Sequence, residues 1–188
     1  MTVAKPRRAD ALRNYQKLIA AARVAFTEAG SAASLEDIAR RAGVGIGTLY
    51  RHFPTRQALV EAVYVDEVDA LCRSAEEVAG DAPWDALEAW LRRFVEYVAT
   101  KQALAEELFA DGHDSAVFRT CHDAFRSAGA PLLARAQEAG AARPDAQLDD
   151  VVRMIAGIAK MPETAPGQTE RMLEMAFDGL RYRAPGSA

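Results

Sequence analysis

The sequence has 188 residues, of which half are hydrophobic, with a formal net charge of −4 and two cysteines. A chain of this size can bury a core without disulfides or metal, and two cysteines argue against a disulfide scaffold. No apolar run approaches the ~20 residues of a membrane-spanning helix, and the basic N-terminus lacks the apolar segment of a secretory signal. The composition therefore predicts a cytoplasmic protein.

The charges are distributed unevenly along the chain. Residues 1–60 contain ten Lys and Arg against four Asp and Glu, whereas residues 61–188 contain thirteen against twenty-three. A basic segment joined to an acidic body indicates that one end of the protein meets phosphates and the other does not. Chance patchiness is the alternative, and charge alone does not decide between the two.

Apolar residues recur at three-to-four spacing along nearly the whole chain, which predicts an all-helical fold. Asp10, Ser34 and Thr55 are candidate helix N-caps, and Gly30 and Gly43 are candidate helix terminators. The predicted helices cover residues 10–29, 34–42, 45–52, 55–71, 84–100, 101–110, 115–140, 146–160 and 167–182.

Residues 34–53 contain two short predicted helices joined at Gly43. Glycine permits the positive φ of a tight turn, and Leu49 and Phe53 lie one turn apart on the buried face of the second helix. This arrangement is typical of a helix-turn-helix, whose second helix enters the major groove of DNA. A helical hairpin with no role in DNA binding is the alternative on this pattern alone. The residues predicted to contact DNA are Ser34, Gly45, Ile46, Gly47, Thr48, Tyr50, His52 and Arg56, with Lys5, Arg7, Arg8 and Arg13 as a basic arm.

Several segments of the first third match a known family. They are FTEAG at 26–30, SLEDIA at 34–39, AGV at 42–44 and GTLYRHFP at 47–54, followed by Ala58 and Leu59. Together these segments resemble the tetracycline-repressor (TetR) family of bacterial transcriptional regulators over residues 9–65.

The resemblance implies roles for particular residues of the second short helix. The positions matching Thr48, Tyr50, His52 and Arg56 contact the DNA backbone in such proteins, and those matching Ile46 and Gly47 lie nearest the bases. Two positions depart from the family pattern, because Gly45 replaces the usual Ser or Thr cap and Ile46 replaces a polar or basic residue. The operator sequence therefore stays open.

The resemblance also implies two domains, a three-helix helix-turn-helix domain over 1–60 and a larger helical ligand-binding and dimerisation domain over 61–188. Small and apolar residues on the last two helices predict a homodimer interface, with burial inside one monomer as the alternative. Aromatic residues on the middle helices are candidates for an effector pocket, with a core role as the alternative. The interface candidates are Val152, Ile155, Ala159, Met172, Ala176 and Gly179, and the pocket candidates are Trp90, Phe94, Phe109 and Phe118.

The sequence also contains a cluster of metal-ligand residue types, Asp111, His113 and Asp114 followed by Cys121, His122 and Asp123. Its spacing matches no standard zinc pattern, so neither a metal nor another cofactor is predicted. The preferred interpretation is a non-enzymatic, one-component repressor that binds operator DNA as a homodimer and is released by a small-molecule effector. The alternatives are a helical enzyme or metal-responsive protein using Asp111, His113 and His122, and a protein-interaction module.

Overall fold

The computed structural model describes the chain over residues 7–108 and 116–181, and its side chains over residues 9–104 and 119–181. Within these ranges the chain is helical and contains no strand, which confirms the predicted all-helical class. The α-helices are α1 (Arg7–Ala29), α2 (Leu35–Arg41), α3 (Ile46–His52), α4 (Arg56–Glu77), α5 (Pro83–Leu108), α6 (Ala116–Glu138), α7 (Leu148–Lys160) and α8 (Gln168–Leu180), with a 3₁₀ turn at Gly30–Ala32.

Several helix boundaries differ from the prediction, and α4 ends at Glu77, beyond its predicted end at residue 71. Helix α5 is continuous where two helices were predicted to meet at residues 100 and 101, because Thr100 and Lys101 are not helix breakers and Thr100 is buried. Helix α1 begins at Arg7, so Asp10 lies in its first turn, where a carboxylate favours the helix dipole. In the described ranges, every helix is too short or too polar to span a bilayer.

The described residues form two compact units. The first contains residues 7–67 and 100–108, and the second contains residues 68–99 and 116–181. Helices α4 and α5 therefore each contribute residues to both units. The domain boundary predicted at residue 60 stays a prediction.

The core of the first unit supports the two short helices. Leu18 and Phe26 of α1, Ile38 of α2, Leu49 of α3 and Leu59 of α4 are fully buried. Burial of such side chains stabilises the fold by about 1.5–3 kcal/mol each. Helices α1, α2, α3 and α4 thus each contribute a fully buried side chain to this unit, and Leu49 anchors α3 on its buried face.

The core of the second unit is built around the aromatic and aliphatic face of α5. Trp90 is fully buried, and its ring stacks on that of Phe94 with a centroid distance of 6.2 Å. The Trp90 Nε1–H donates a hydrogen bond to the Leu71 carbonyl on α4 at 3.2 Å. Ile155 of α7 and Phe177 of α8 complete this core from the C-terminal helices.

Candidate nucleic-acid interface

The turn between α2 and α3 is built on Gly43, which has a φ of +68°. The Gly43 N–H donates to the Arg40 carbonyl at 3.1 Å, and the Val44 N–H donates to the Ala39 carbonyl at 3.0 Å. This pair of hydrogen bonds is a Schellman motif, in which only glycine adopts the required left-handed conformation without strain. The predicted turn at Gly43 is confirmed.

Helix α3 presents one face to the core and the other to solvent. Gly45 is its N-cap residue, without a side-chain cap hydrogen bond, while Leu49 and Phe53 are buried as predicted. Ile46 is 37% exposed and Tyr50 is 47% exposed. Large apolar and aromatic side chains on an open helix face are available for contact with a partner molecule. Of the remaining predicted contact residues on α3, Gly47 is exposed and Thr48 and His52 are half-buried.

An aromatic contact fixes the C-terminal end of α3 on α1. The Tyr15 ring packs edge-on against His52 with a centroid distance of 6.1 Å and lies 5.2 Å from the Phe53 ring. Such pairs contribute about 0.5–1.5 kcal/mol beyond burial of their area. The His52 imidazole is therefore held in position while part of it stays accessible.

Ser34 is the N-cap of α2, as its sequence context predicts. Its hydroxyl oxygen accepts a hydrogen bond from the Asp37 N–H at 3.0 Å. The Asp37 carboxylate in turn accepts from Arg41 at 2.6 Å and from Arg40, and these guanidinium groups lower the pKa of Asp37. Arg41 also pairs with Glu28 at 2.7 Å. Two cations of the basic first third are thus directed toward carboxylates of their own chain.

Arg56 lies in a different environment from the one predicted for a phosphate contact. Its guanidinium donates to the backbone carbonyls of Ser31, at 3.0 Å, and Ala33. It also lies over the Phe26 ring, 5.1 Å from the centroid. The side chain is half-buried and turned toward the connection between α1 and α2.

Arg51 is a functional candidate that sequence reasoning did not select. It is exposed on α3 between Tyr50 and His52, and no carboxylate pairs with it in the described part of the chain. Several other described cations of the first unit do pair with carboxylates, including Arg13 with Asp10 and Arg23 with Asp66 at 2.7 Å. The sequence places Arg51 on the same helix as the predicted contact residues. That no carboxylate pairs with it could be learned only from the structure.

The effector-pocket candidates lie in the core of the second unit where they are described. Phe94 is 4% exposed, and its ring packs against those of Tyr97, at 5.6 Å, and Phe125, at 5.7 Å. Trp90 belongs to the same cluster. Phe109 and the Phe118 side chain lie outside the described residues, so the assignment of these four residues to a pocket stays a prediction.

The interface candidates divide between two faces of the last helices. Ile155 is fully buried and Val152 is 7% exposed within the chain itself, and the assignment of both residues to an intersubunit interface stays a prediction. A separate apolar face is open on the same helices, with Met154 44% and Met175 65% exposed. Ala159, Met172 and Ala176 are half-buried, and Gly179 is exposed.

The candidate metal cluster is described only in part. Asp111 and His113 lie outside the described residues. His122 is exposed, and its ring packs edge-on against Phe125 at 5.0 Å, whereas the neighbouring Cys121 is buried. No group of three or more His, Cys, Asp or Glu side chains within the described ranges is arranged to hold a metal ion.

Two family models match this chain in consecutive regions. The model for bacterial regulatory proteins of the tetR family matches residues 18–63, which include α2 and α3. The model for the C-terminal domain of SbtR-like transcriptional regulators matches residues 82–182, which is more than half of the chain.

Individual relatives agree with these matches. The crystal structure of the TetR transcriptional regulator SCO0520 from Streptomyces coelicolor is 41% identical, covers 90% of this chain and 99% of that chain, and has a TM-score of 0.79. The HTH-type transcriptional regulator UidR of Escherichia coli K12 is 28% identical over 135 residues, 69% of each sequence. The transposon Tn10 TetC protein of Escherichia coli is 31% identical over 88 residues, so this chain matches less than half of its length, 44%.

Proposed function

The chain belongs to the TetR family of bacterial transcriptional regulators, and from this premise we propose that it represses transcription as a homodimer whose α3 helices occupy operator DNA. The observation that carries the proposal is the division of α3 into a buried face at Leu49 and Phe53 and an open face at Ile46, Tyr50 and Arg51. A helix anchored on one side and open on the other can enter the major groove without rearrangement.

The open face of α3 carries groups suited to both kinds of DNA contact. Thr48, Tyr50 and Arg51 can donate hydrogen bonds to phosphate oxygens, which position a protein on the duplex without reading sequence. Ile46 can pack on a thymine methyl group, an apolar contact in the major groove. The half-buried His52, held by Tyr15, can add a further phosphate contact.

The outer face of α7 and α8 supports association with a second copy. The apolar side of α7 extends from the buried Ile155 to the neighbouring Met154, which is exposed. Exposed apolar side chains grouped on one surface often mark a site of association with another protein. Together with Met175 and Gly179 of α8, Met154 lines a groove of about 340 Å³. Methionine adapts to irregular apolar surfaces, and a two-fold dimer matches two DNA half-sites.

The release step is proposed to act through the second unit. A small molecule that binds better to one conformation of this unit shifts the population toward that conformation. Helices α4 and α5 both contribute residues to the two units, and α4 directly follows α3 in the chain, so we assign the transmission of such a shift to α4. We propose that the protein acts in the cytoplasm as a regulator and not as an enzyme.

A binding titration tests the DNA claim. Fluorescence anisotropy with a labelled duplex from the intergenic DNA beside the gene should show binding that weakens steeply with salt, as expected for phosphate contacts. Tyr50→Ala should weaken binding to this duplex and to unrelated duplex alike, because it removes a phosphate donor. Absence of binding, or binding that does not respond to salt, would contradict the proposal.

Analytical ultracentrifugation tests the dimer claim. Met175→Glu places a charge on the exposed apolar face and should convert a wild-type dimer to a monomer at micromolar concentration, because an unpaired charge is costly to bury. Ala89→Glu, at an exposed position of α5, is the matched control and should leave the dimer intact. A wild-type monomer, or a dimer in Met175→Glu, would contradict the assignment of this face.

A further inference from the structure

The guanidinium group of Arg56 closes a junction between three elements of the first unit. Arg56 is the first residue of α4, the ring beneath it is Phe26 of α1, and the carbonyls it binds belong to Ser31 and Ala33. Ala33 immediately precedes Ser34, the N-cap of α2. The junction therefore lies next to the start of the helix-turn-helix.

These contacts use the guanidinium in a way that another cation could not reproduce. The Ser31 carbonyl belongs to a short 3₁₀ turn, and the Ala33 carbonyl belongs to the residue that follows this turn. Ala33 is buried, and a buried backbone carbonyl is rarely left without a donor, so the bond from Arg56 satisfies it. A planar guanidinium presents two parallel N–H groups in a fixed fork and can stack on an aromatic ring at the same time. A lysine ammonium is a point charge on a flexible stem and has no such geometry.

The orientation of Arg56 conflicts with a role as a phosphate contact. To reach DNA, the side chain would have to give up the Ser31 and Ala33 carbonyls and leave the Phe26 ring. From the position already occupied, the same contacts fix the connection from which Ser34 and α2 extend. We propose that Arg56 is a positioning residue, which sets the place of α2, and through it α3, relative to the DNA backbone.

The salt dependence of DNA binding distinguishes positioning from phosphate contact, and this test rests on the proposed DNA-binding function. Each phosphate contact contributes about 0.9 to the slope of log affinity against log salt concentration. The probe is a mixed-sequence duplex of about 30 base pairs, roughly three helical turns. The variants are Arg56→Ala, Arg56→Lys and, as a matched cation on α3, Arg51→Ala.

If Arg56 positions α2, Arg56→Lys and Arg56→Ala both lower the affinity by about tenfold, because the hydrogen bonds that disappear involve a charged donor. The Arg56→Lys slope stays at the wild-type value. Binding is measured at a temperature where circular dichroism shows each variant to be folded, so reduced stability alone does not lower the affinity. Amide exchange at Asp37, the N–H capped by Ser34, should accelerate in both variants.

If Arg56 instead contacts a DNA phosphate, the opposite pattern of affinities and salt slopes is expected. Arg56→Lys would then bind nearly as tightly as wild type, and Arg56→Ala would lower the slope by about 0.9 for each phosphate that the protein no longer neutralises. Either of these results, or unchanged affinity in both variants, overturns the positioning role. If Arg56→Ala does not fold, the affinity and slope of Arg56→Lys alone distinguish the two roles, since this variant keeps the positive charge and removes only the planar pair of N–H donors. Failure of the wild-type protein to bind any duplex would instead contradict the DNA-binding function itself.

Discussion

Gly129 of α6 lies directly against the indole ring of Trp90 on α5. A β-carbon added at Gly129 would overlap the far edge of that ring, at 2.7 Å from both Cζ2 and Cζ3. The opposite side of the same tryptophan is fixed by the hydrogen bond from Nε1 to the Leu71 carbonyl on α4. Trp90 therefore sets the spacing of α4, α5 and α6, and glycine at position 129 is a packing requirement.

Gly129→Ala should destabilise the protein by about 1–3 kcal/mol, as expected when a close-packed core is overfilled. Trp90→Phe removes the far edge of the ring, so the double variant should lose less stability than the sum of the single variants. Urea unfolding followed by circular dichroism measures the free energy of unfolding of each variant. The control is Gly157→Ala, where a β-carbon meets nothing within 4 Å and alanine should gain about 0.5–1 kcal/mol. Strict additivity of the Trp90 and Gly129 changes would contradict the steric relationship.

Arg92 connects α5 to α8, and its removal should lower the stability of the folded protein. Its guanidinium bonds Glu170 at 2.8 Å and Glu174, and it lies over Phe177 at 5.0 Å. Hydrogen bonds to these carboxylates raise the pKa of Arg92, which stays charged throughout the accessible range. Arg92→Ala should cost about 1 kcal/mol, the scale of an exposed ion-pair network with a cation–π contact.

The comparison for Arg92 is Arg143, which pairs with Asp145 two residues away at 2.6 Å. Arg143→Ala removes a local surface pair and leaves the link between α5 and α8 in place, so its effect should stay within a few tenths of a kcal/mol. Thermal unfolding by calorimetry gives both values. Because Glu170 and Glu174 lie on α8, Arg92→Ala should also accelerate amide exchange along α8. Equal effects of the two variants would show that the link between the helices is not stabilising.

The Glu163 carboxylate makes the start of α8 sensitive to pH. It accepts a hydrogen bond from the Thr169 N–H at 3.0 Å, and this bond holds the pKa of Glu163 below its ordinary value of 4.5. A carboxylate with a lowered folded-state pKa stabilises the protein above its unfolded-state pKa and loses that effect as pH falls through the folded-state value. Glu163→Gln should therefore be less stable than wild type at pH 7, and the difference should narrow as the pH is lowered from 7 to 3. A stability difference that is constant between these two pH values would contradict the capping role.

The sequence predicted the parts of the site that depend on local rules and missed those that depend on pairing between helices. Gly43 was predictable because a tight turn needs a positive φ, and Leu49 because its spacing from Phe53 defines a buried face. The orientation of Arg56 was not predictable, since it is determined by backbone carbonyls 23 and 25 residues away in the sequence. The burial of Ile155 within its own chain was one of two alternatives, because periodicity does not tell whether an apolar stripe is buried inside one monomer or between two.

Gly47 offers a test in which stability and DNA binding should change in opposite directions. It lies within α3 in open space, since a β-carbon there meets no atom within 4 Å. Gly47→Ala should therefore stabilise the folded protein by about 0.5–1 kcal/mol, as alanine does in a helix interior.

The same methyl group would lie on the open face beside Ile46 and Tyr50, where it would keep the helix from its closest approach to the bases. Affinity for the duplex from the intergenic DNA should fall severalfold, while affinity for unrelated duplex, which depends on phosphate contacts, should change less. Unfolding curves and anisotropy titrations on the same preparation separate the two effects, and a variant that gains stability without losing affinity would contradict the placement of Gly47 at the DNA.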